Sequence, residues 1–413
     1  MVLSFGMSSL SYWIPLGSYC ILDEMASHGL DEYPARLEKV ISSMARAGLD
    51  ALYVTSPPNL FYLTGYDAIW YPWRLPLGCV VVREPAEVIF FDWTRHEDYA
   101  RLHGRYDELV LFEYGAAAPA VAAAFDDRGL GGATVGLERY SLNPAAPIAE
   151  GIADALEAGG ATVTAGDWIV DDIRLYKSPA ELERIRQAGQ IADAAMRALQ
   201  ERLRPGMSEL QIAALVNMLL IDGGSEFAAM PPVICSGPTA WVDTHSFPSH
   251  RELGADDIVS IDFCGVVDHY HANLCRTFAL GEPNPEAAEL LEAAAGSLPE
   301  LQRLARLGEG PEFATAAAER WVYDRIAAEK VWWVGGYSLG IALPPGWVGH
   351  TYLANDGFTK VTWQPGYVSN YETVLVDPES KFEACAIDTI VMTEDGLEVL
   401  SELPRTILEV PAR

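Results

Sequence analysis

Two neighbouring stretches of the 413-residue chain carry a dense set of reactive side chains. Asp262 and Cys264 lie within Ile258 to Val267, and His271, Asn273 and Cys275 lie within Tyr270 to Leu280. Both stretches read as long strands, and a strand turns alternate residues to opposite faces. Asp262 and Cys264 therefore point the same way, as do His271, Asn273 and Cys275. A carboxylate or imidazole can activate water, and a second protonated group can deliver a proton to a leaving group, which is the chemistry of hydrolysis. A thiol beside an imidazole can instead be a nucleophile. Cysteines inside apolar strands are more often small core residues, and buried His and Asn are often satisfied polar groups.

The elements that must position these residues fall into two halves. Tyr33 to Gly48 has apolar residues at helical spacing, and Ala51 to Thr55 follows as a strand. Cys79 to Val82, Glu87 to Phe91, Glu108 to Phe112 and Thr134 to Leu137 are further short strands. Helical stretches at Ala117 to Phe125 and Ala145 to Ala158 separate the last of them. This alternation predicts an α/β domain over residues 1–172, a mixed sheet flanked by helices. Ser178-Pro179-Ala180-Glu181 then opens a long helix, with Ser as N-cap, Pro at the first position and Glu at the third. Arg204-Pro205-Gly206 ends it. Helices at about Ser208 to Asp222, Pro285 to Leu307 and Pro311 to Ala328, with long strands, predict an α+β domain over 173–413.

Composition excludes several partners. Lys and Arg number 28 against 58 Asp and Glu, a formal charge of -30 that repels nucleic acid and anionic membrane. No run of about 18 apolar residues exists to span a bilayer. The first basic residue is Arg36, so no signal peptide is expected. The six cysteines form no C-x-x-C pair, which fits a reducing, cytoplasmic compartment.

Four segments resemble the M24 family, which includes prolidase, aminopeptidase P, methionine aminopeptidase and creatinase. They are Ile234-Cys235-Ser236-Gly237-Pro238 with His245; Asp262-Phe263-Cys264-Gly265 through Arg276-Thr277-Phe278; Gln364-Pro365-Gly366-Tyr367 leading to Glu372; and Asp388-Thr389-Ile390-Val391. Tyr62-Leu63-Thr64-Gly65 fits the family's first domain. The resemblance implies a creatinase N-terminal-like domain followed by a pita-bread catalytic domain. Its metallopeptidases hold two divalent ions with two Asp, one His and two Glu, since hard cations prefer anionic oxygen. Asp262 and Glu372 match that set. Asn273 stands where the second Asp belongs, Leu339 where the His belongs and Ile387 where the last Glu belongs. Such a set implies no metal and no cofactor. The runs Tyr270 to Thr277 and Gly336 to Trp347 are similar to metal-independent creatinase and ectoine hydrolase.

The resemblance implies roles as well. His245, Glu372, Asp262 and His271 are the expected catalytic residues, with His245 first in line for proton transfer. Asn273, Cys275, Arg276, Trp347, His350, Trp73 and Arg74 are expected to contact substrate. Arg74 and its neighbouring aromatics are placed like the creatinase segment that crosses a homodimer and grips a substrate carboxylate. The expected activity is metal-independent hydrolysis of a C–N bond in a small zwitterionic or carboxylate-bearing nitrogenous substrate. A metal-dependent Xaa-Pro peptidase, a lyase of the same fold and an inactive binding module remain the alternatives.

Overall fold

A computed structural model describes residues 32–69, 77–141, 143–242, 244–349, 351–353 and 361–411. Two sheets organise them. In the first half β1 (Ala51–Val54), β2 (Gly78–Val82), β3 (Glu87–Trp93), β4 (Glu108–Phe112), β5 (Thr134–Leu137) and β6 (Thr162–Ala165) stand in the order β4-β3-β2-β1-β5-β6. β1 pairs antiparallel with β2 and parallel with β5, so the sheet is mixed, as the alternation of elements requires. Helices Tyr33–Ala47, Ala117–Asp126 and Ala146–Ala158 flank it. β6 escapes a pattern reading because it is a four-residue edge strand, Thr-Val-Thr-Ala, mostly exposed and too short for its alternation to stand out.

The helix Pro179–Arg202 begins as its sequence dictates. Ser178 accepts from the Glu181 amide and Glu181 accepts from the Ser178 amide, a complete capping box. Ser208 and Gln211 repeat the device at helix Glu209–Asp222. These helices and Pro285–Leu304 pack on a second sheet. Its strands are β7 (Val233–Ser236), β8 (Ile258–Val267), β9 (Tyr270–Ala279), β10 (Val331–Gly335), β11 (Val368–Asp377) and β12 (Phe382–Thr393). Their order is β10-β11-β12-β9-β8-β7, with β13 (Gly396–Val399) on β12 and β14 (Leu408–Glu409) on β9. β9 is buried along its whole length and β12 at every residue but its last, so neither shows a polar face. Among the described residues no helix is long and apolar enough to cross a membrane.

Candidate active site

Register places the chemistry. Val233 pairs with Asp262, Asp262 with Cys275, Cys275 with Ile387, Ile387 with Glu372 and Glu372 with Gly335. Paired residues share a sheet face, so these six form one row across six strands. The adjacent row holds Cys264, Asn273, Thr389 and Asn370 on that same face. The Thr389 hydroxyl stitches β12 to β9, accepting from the Asn273 amide (2.8 Å) and donating to its carbonyl (3.0 Å).

A continuous hydrogen-bond chain joins the two acids. Asn273 Nδ2 donates to Asp262 Oδ1 (2.6 Å), and Asn370 Nδ2 donates to Asn273 Oδ1 (2.9 Å) and to Glu372 Oε1 (2.6 Å). Asn370 is held in turn by the Tyr337 amide, which donates to its Oδ1 (2.7 Å). Burial pushes Asp262 up to about 7, opposed by the Asn273 hydrogen bond. Burial and then the Asp262 charge push Glu372 up to about 8, against hydrogen bonds from Asn370, Tyr337 and Trp333. Two carboxyls therefore titrate near neutrality on one sheet face, which is a recognised mark of acid–base function.

Glu372 has a consequence for stability. Its folded value lies above the usual 4.5, so the folded protein keeps a proton that the unfolded chain releases. Stability is then full below about 4.5 and falls as the pH rises towards about 8, by up to several kcal/mol. Urea unfolding at pH 5 and pH 8 should show Glu372→Gln with a flatter profile than the native chain and a relative gain at pH 8. Parallel profiles would contradict the burial of this carboxyl.

Several expected residues occupy other roles. His271, expected to be catalytic, has both ring nitrogens engaged by backbone. Nδ1 donates to the His269 carbonyl (2.8 Å) and Nε2 accepts from the Ala229 amide (3.0 Å). Burial holds it neutral, down at about 4. Cys275, expected at the substrate, lies in an apolar cluster with Val374, Cys385 and Ile387, and burial pushes its thiol up to about 11. Arg276 points to the opposite face of β9, where it pairs with Asp388 (2.7 Å) and bonds the carbonyls of Ile387 and Leu403. His245 is exposed, its ring edge-on to Trp332 at 5.1 Å, and no hydrogen bond joins it to the chain of acids. Trp347 is buried and donates its indole N–H to Tyr337 Oη (3.1 Å). Trp73, Arg74 and His350 lie outside the described residues.

The Gly336 to Gly340 segment corrects one assignment. The side chain beside Glu372 is Tyr337, which hydrogen-bonds it, and not Leu339, which is buried and lines a cavity between the two domains. The segment runs alongside β11, with Ser338 bridged to Ser369 and the Leu339 amide on the Val368 carbonyl, which turns the phenol to the acids. Asn370, Tyr337 and Glu383 were not legible as site residues. Asn370 did leave a signal, since strand alternation puts it on the Glu372 face. Glu383 lies on the Cys385 and Ile387 face of β12, pushed up to about 8 by burial and by Asp262.

The comparisons agree with this architecture. Residues 36–176 match the creatinase/prolidase N-terminal domain, and residues 183–394, half of the chain, match metallopeptidase family M24. The chain belongs to family M24. It is 24% identical over 406 residues to ectoine hydrolase of Halomonas elongata, covering 91% of this chain and 97% of that protein. It is also 24% identical over 379 residues to an Xaa-Pro dipeptidase of Pyrococcus furiosus, covering 90% and 99%. The dipeptidase PepE structure from Mycobacterium ulcerans superposes with a TM-score of 0.79 at 21% identity, covering 93% of this chain and all of that one. Hydrolases thus dominate its relatives, and its fold is the pita-bread fold.

The donor set here does not fit the ion pair of the family's metallopeptidases. Asp262 and Glu372 each take a hydrogen bond from an amide NH2, and an amide N–H is no ligand. Ile387, where the resemblance puts the last Glu, lies in the apolar cluster, and Tyr337 presents a neutral phenol. Among the described residues no group of three or more His, Cys, Asp and Glu is placed to hold a metal ion.

Proposed function

We propose that this M24 protein hydrolyses a C–N bond of a small nitrogenous carboxylic acid, an amidine, urea or amide, without a metal ion. The observation that carries this reading is the Asp262–Asn273–Asn370–Glu372 chain, which puts a base and an acid on one face with proton affinities near neutrality. The relationship to ectoine hydrolase supports the same bond class.

In this reading Asp262, ionised, takes a proton from water as the water oxygen adds to the carbon of the C–N unit. Glu372, protonated, gives its proton to the departing nitrogen as that bond breaks. Proton exchange with solvent then restores both carboxyls. Tyr337 and Trp333 hold Glu372, and Asn370 keeps it in register with Asn273. His245 stands outside the hydrogen-bond chain, and in this reading the two carboxyls carry the proton transfer in its place. The cationic end of an amidine fits beside Glu372. Recognition of its carboxylate by Arg74 and Trp73 of a second copy, in a homodimer, belongs to the same proposal. Light scattering tests the dimer, and Arg74→Ala should raise KM more than it lowers kcat.

The deciding experiment combines metal analysis with a substrate screen. Protein purified without chelators should carry well under one equivalent of iron, manganese or zinc per protomer. Turnover of cyclic amidines or N-acyl amino acids should be indifferent to EDTA. Tightly held metal, or EDTA-sensitive cleavage of Xaa-Pro dipeptides, would overturn the reading in favour of a metallopeptidase.

A further inference from the structure

We infer that the cavity between the two domains is a second binding site, for a small organic carboxylate. It encloses about 630 Å³, within the range of small-molecule pockets. Ser56 and Arg139 border it from the first domain, Arg174 and Lys177 from the connecting segment, and Leu339 and Trp347 from the catalytic domain. None of Asp262, Asn273, Asn370 or Glu372 lines it, so it is a compartment apart from the acids on the sheet.

Its charge runs against the rest of the chain. Acids outnumber bases 58 to 28 overall, yet Arg139, Arg174 and Lys177 face this space with Asp171 as the single acid. Glu138 lies close in sequence but does not border the cavity, and its oxygens accept from Thr55, Ser56 and Asn59.

Two of the three cations are not consumed by the protein. Arg174 is, since it donates to Asn59 Oδ1 (2.6 Å) and to the Ile341 carbonyl (2.6 Å). The Arg139 guanidinium pairs with no carboxylate among the described residues. Lys177 is only 7% exposed, and its ammonium gives one hydrogen bond, to the Leu175 carbonyl (3.1 Å). An ammonium has three donors, so two are left without an acceptor among the described residues, and a buried donor without an acceptor is costly. Burial pulls Lys177 down to about 7, and an anion beside it would restore its charge. Pro57, Pro58, Leu343 and Pro344 offer the remaining wall to an apolar body.

The anion is thus a carboxylate with an aliphatic or aromatic remainder, held by Arg139 and Lys177. Hexanoate serves as the probe and hexanamide as its uncharged counterpart, titrated calorimetrically into the whole protein. Saturable binding of one hexanoate per protomer is expected, with hexanamide at least about tenfold weaker. Arg139→Gln, at an exposed position that does not threaten folding, and Lys177→Gln should each weaken hexanoate about tenfold. Asp262→Asn should leave hexanoate affinity unchanged, which separates this site from the catalytic proposal. Binding that ignores Arg139→Gln, that is lost with Asp262→Asn, or that never saturates would overturn the inference.

Discussion

Glu372→Gln and Asp262→Asn are each expected to lower kcat by about 10²- to 10⁴-fold on the substrate identified by screening. Each replacement keeps the side-chain shape but removes the only group able to exchange a proton at that point of the Asp262–Asn273–Asn370–Glu372 chain. KM should change far less than kcat, because proton transfer is made in the transition state and not on binding. The double variant should be little worse than either single one, since the acids act as a unit. The pH profile gives a second readout. With an ionised base near 7 and a protonated acid near 8, kcat/KM should be bell-shaped and centred between those values. Removing either acid should abolish one limb. Full turnover in either variant would sink the assignment, and an unaffected profile in His245→Ala would support the carboxyls over the imidazole.

The second large effect concerns stability. Asp388→Asn should destabilise the protein by about 3–5 kcal/mol in urea unfolding, the cost of leaving buried charge uncompensated. Asp388 Oδ1 meets Arg276 (2.7 Å) and Oδ2 meets Arg405 (2.6 Å), and both Arg276 and Asp388 are 1% exposed. Removing the one negative charge leaves two guanidiniums inside the protein. Arg276 also bonds the carbonyls of Cys275, Ile387 and Leu403, so the triad ties β9 to β12 on the face away from the acids. The row Asp262–Cys275–Ile387–Glu372 should therefore lose alignment as stability falls. A loss under about 1 kcal/mol, typical of an exposed pair, would contradict this account.

The row Asp262–Cys275–Ile387–Glu372 is set by strand pairing. Asn273 and Asn370 hold the acids in place by donating hydrogen bonds. Burial raises both carboxyls while the amide donors oppose it, and in the proposed reaction that balance leaves them near neutrality for proton transfer.

Much of this was local and therefore readable from residue order. Alternation alone put Asp262 with Cys264, and His271 with Asn273 and Cys275, and it could have added Asn370 to Glu372. The capping boxes at Ser178 and Ser208 depend on residues three apart, so the helix starts were visible too. Burial and partner identity were not local. Asn273 and Asn370 meet from positions 97 apart, through a register that no single strand records. His271 carries the same side chain whether free or held, and the Ala229 amide and His269 carbonyl make it a neutral structural group. Arg276 looks like a substrate contact until Asp388 and Arg405 close around it. Sequence by itself determined which residues share a face; the tertiary structure decided which of them meet, and how far burial moves their protons, because both depend on long-range pairing and exclusion of water.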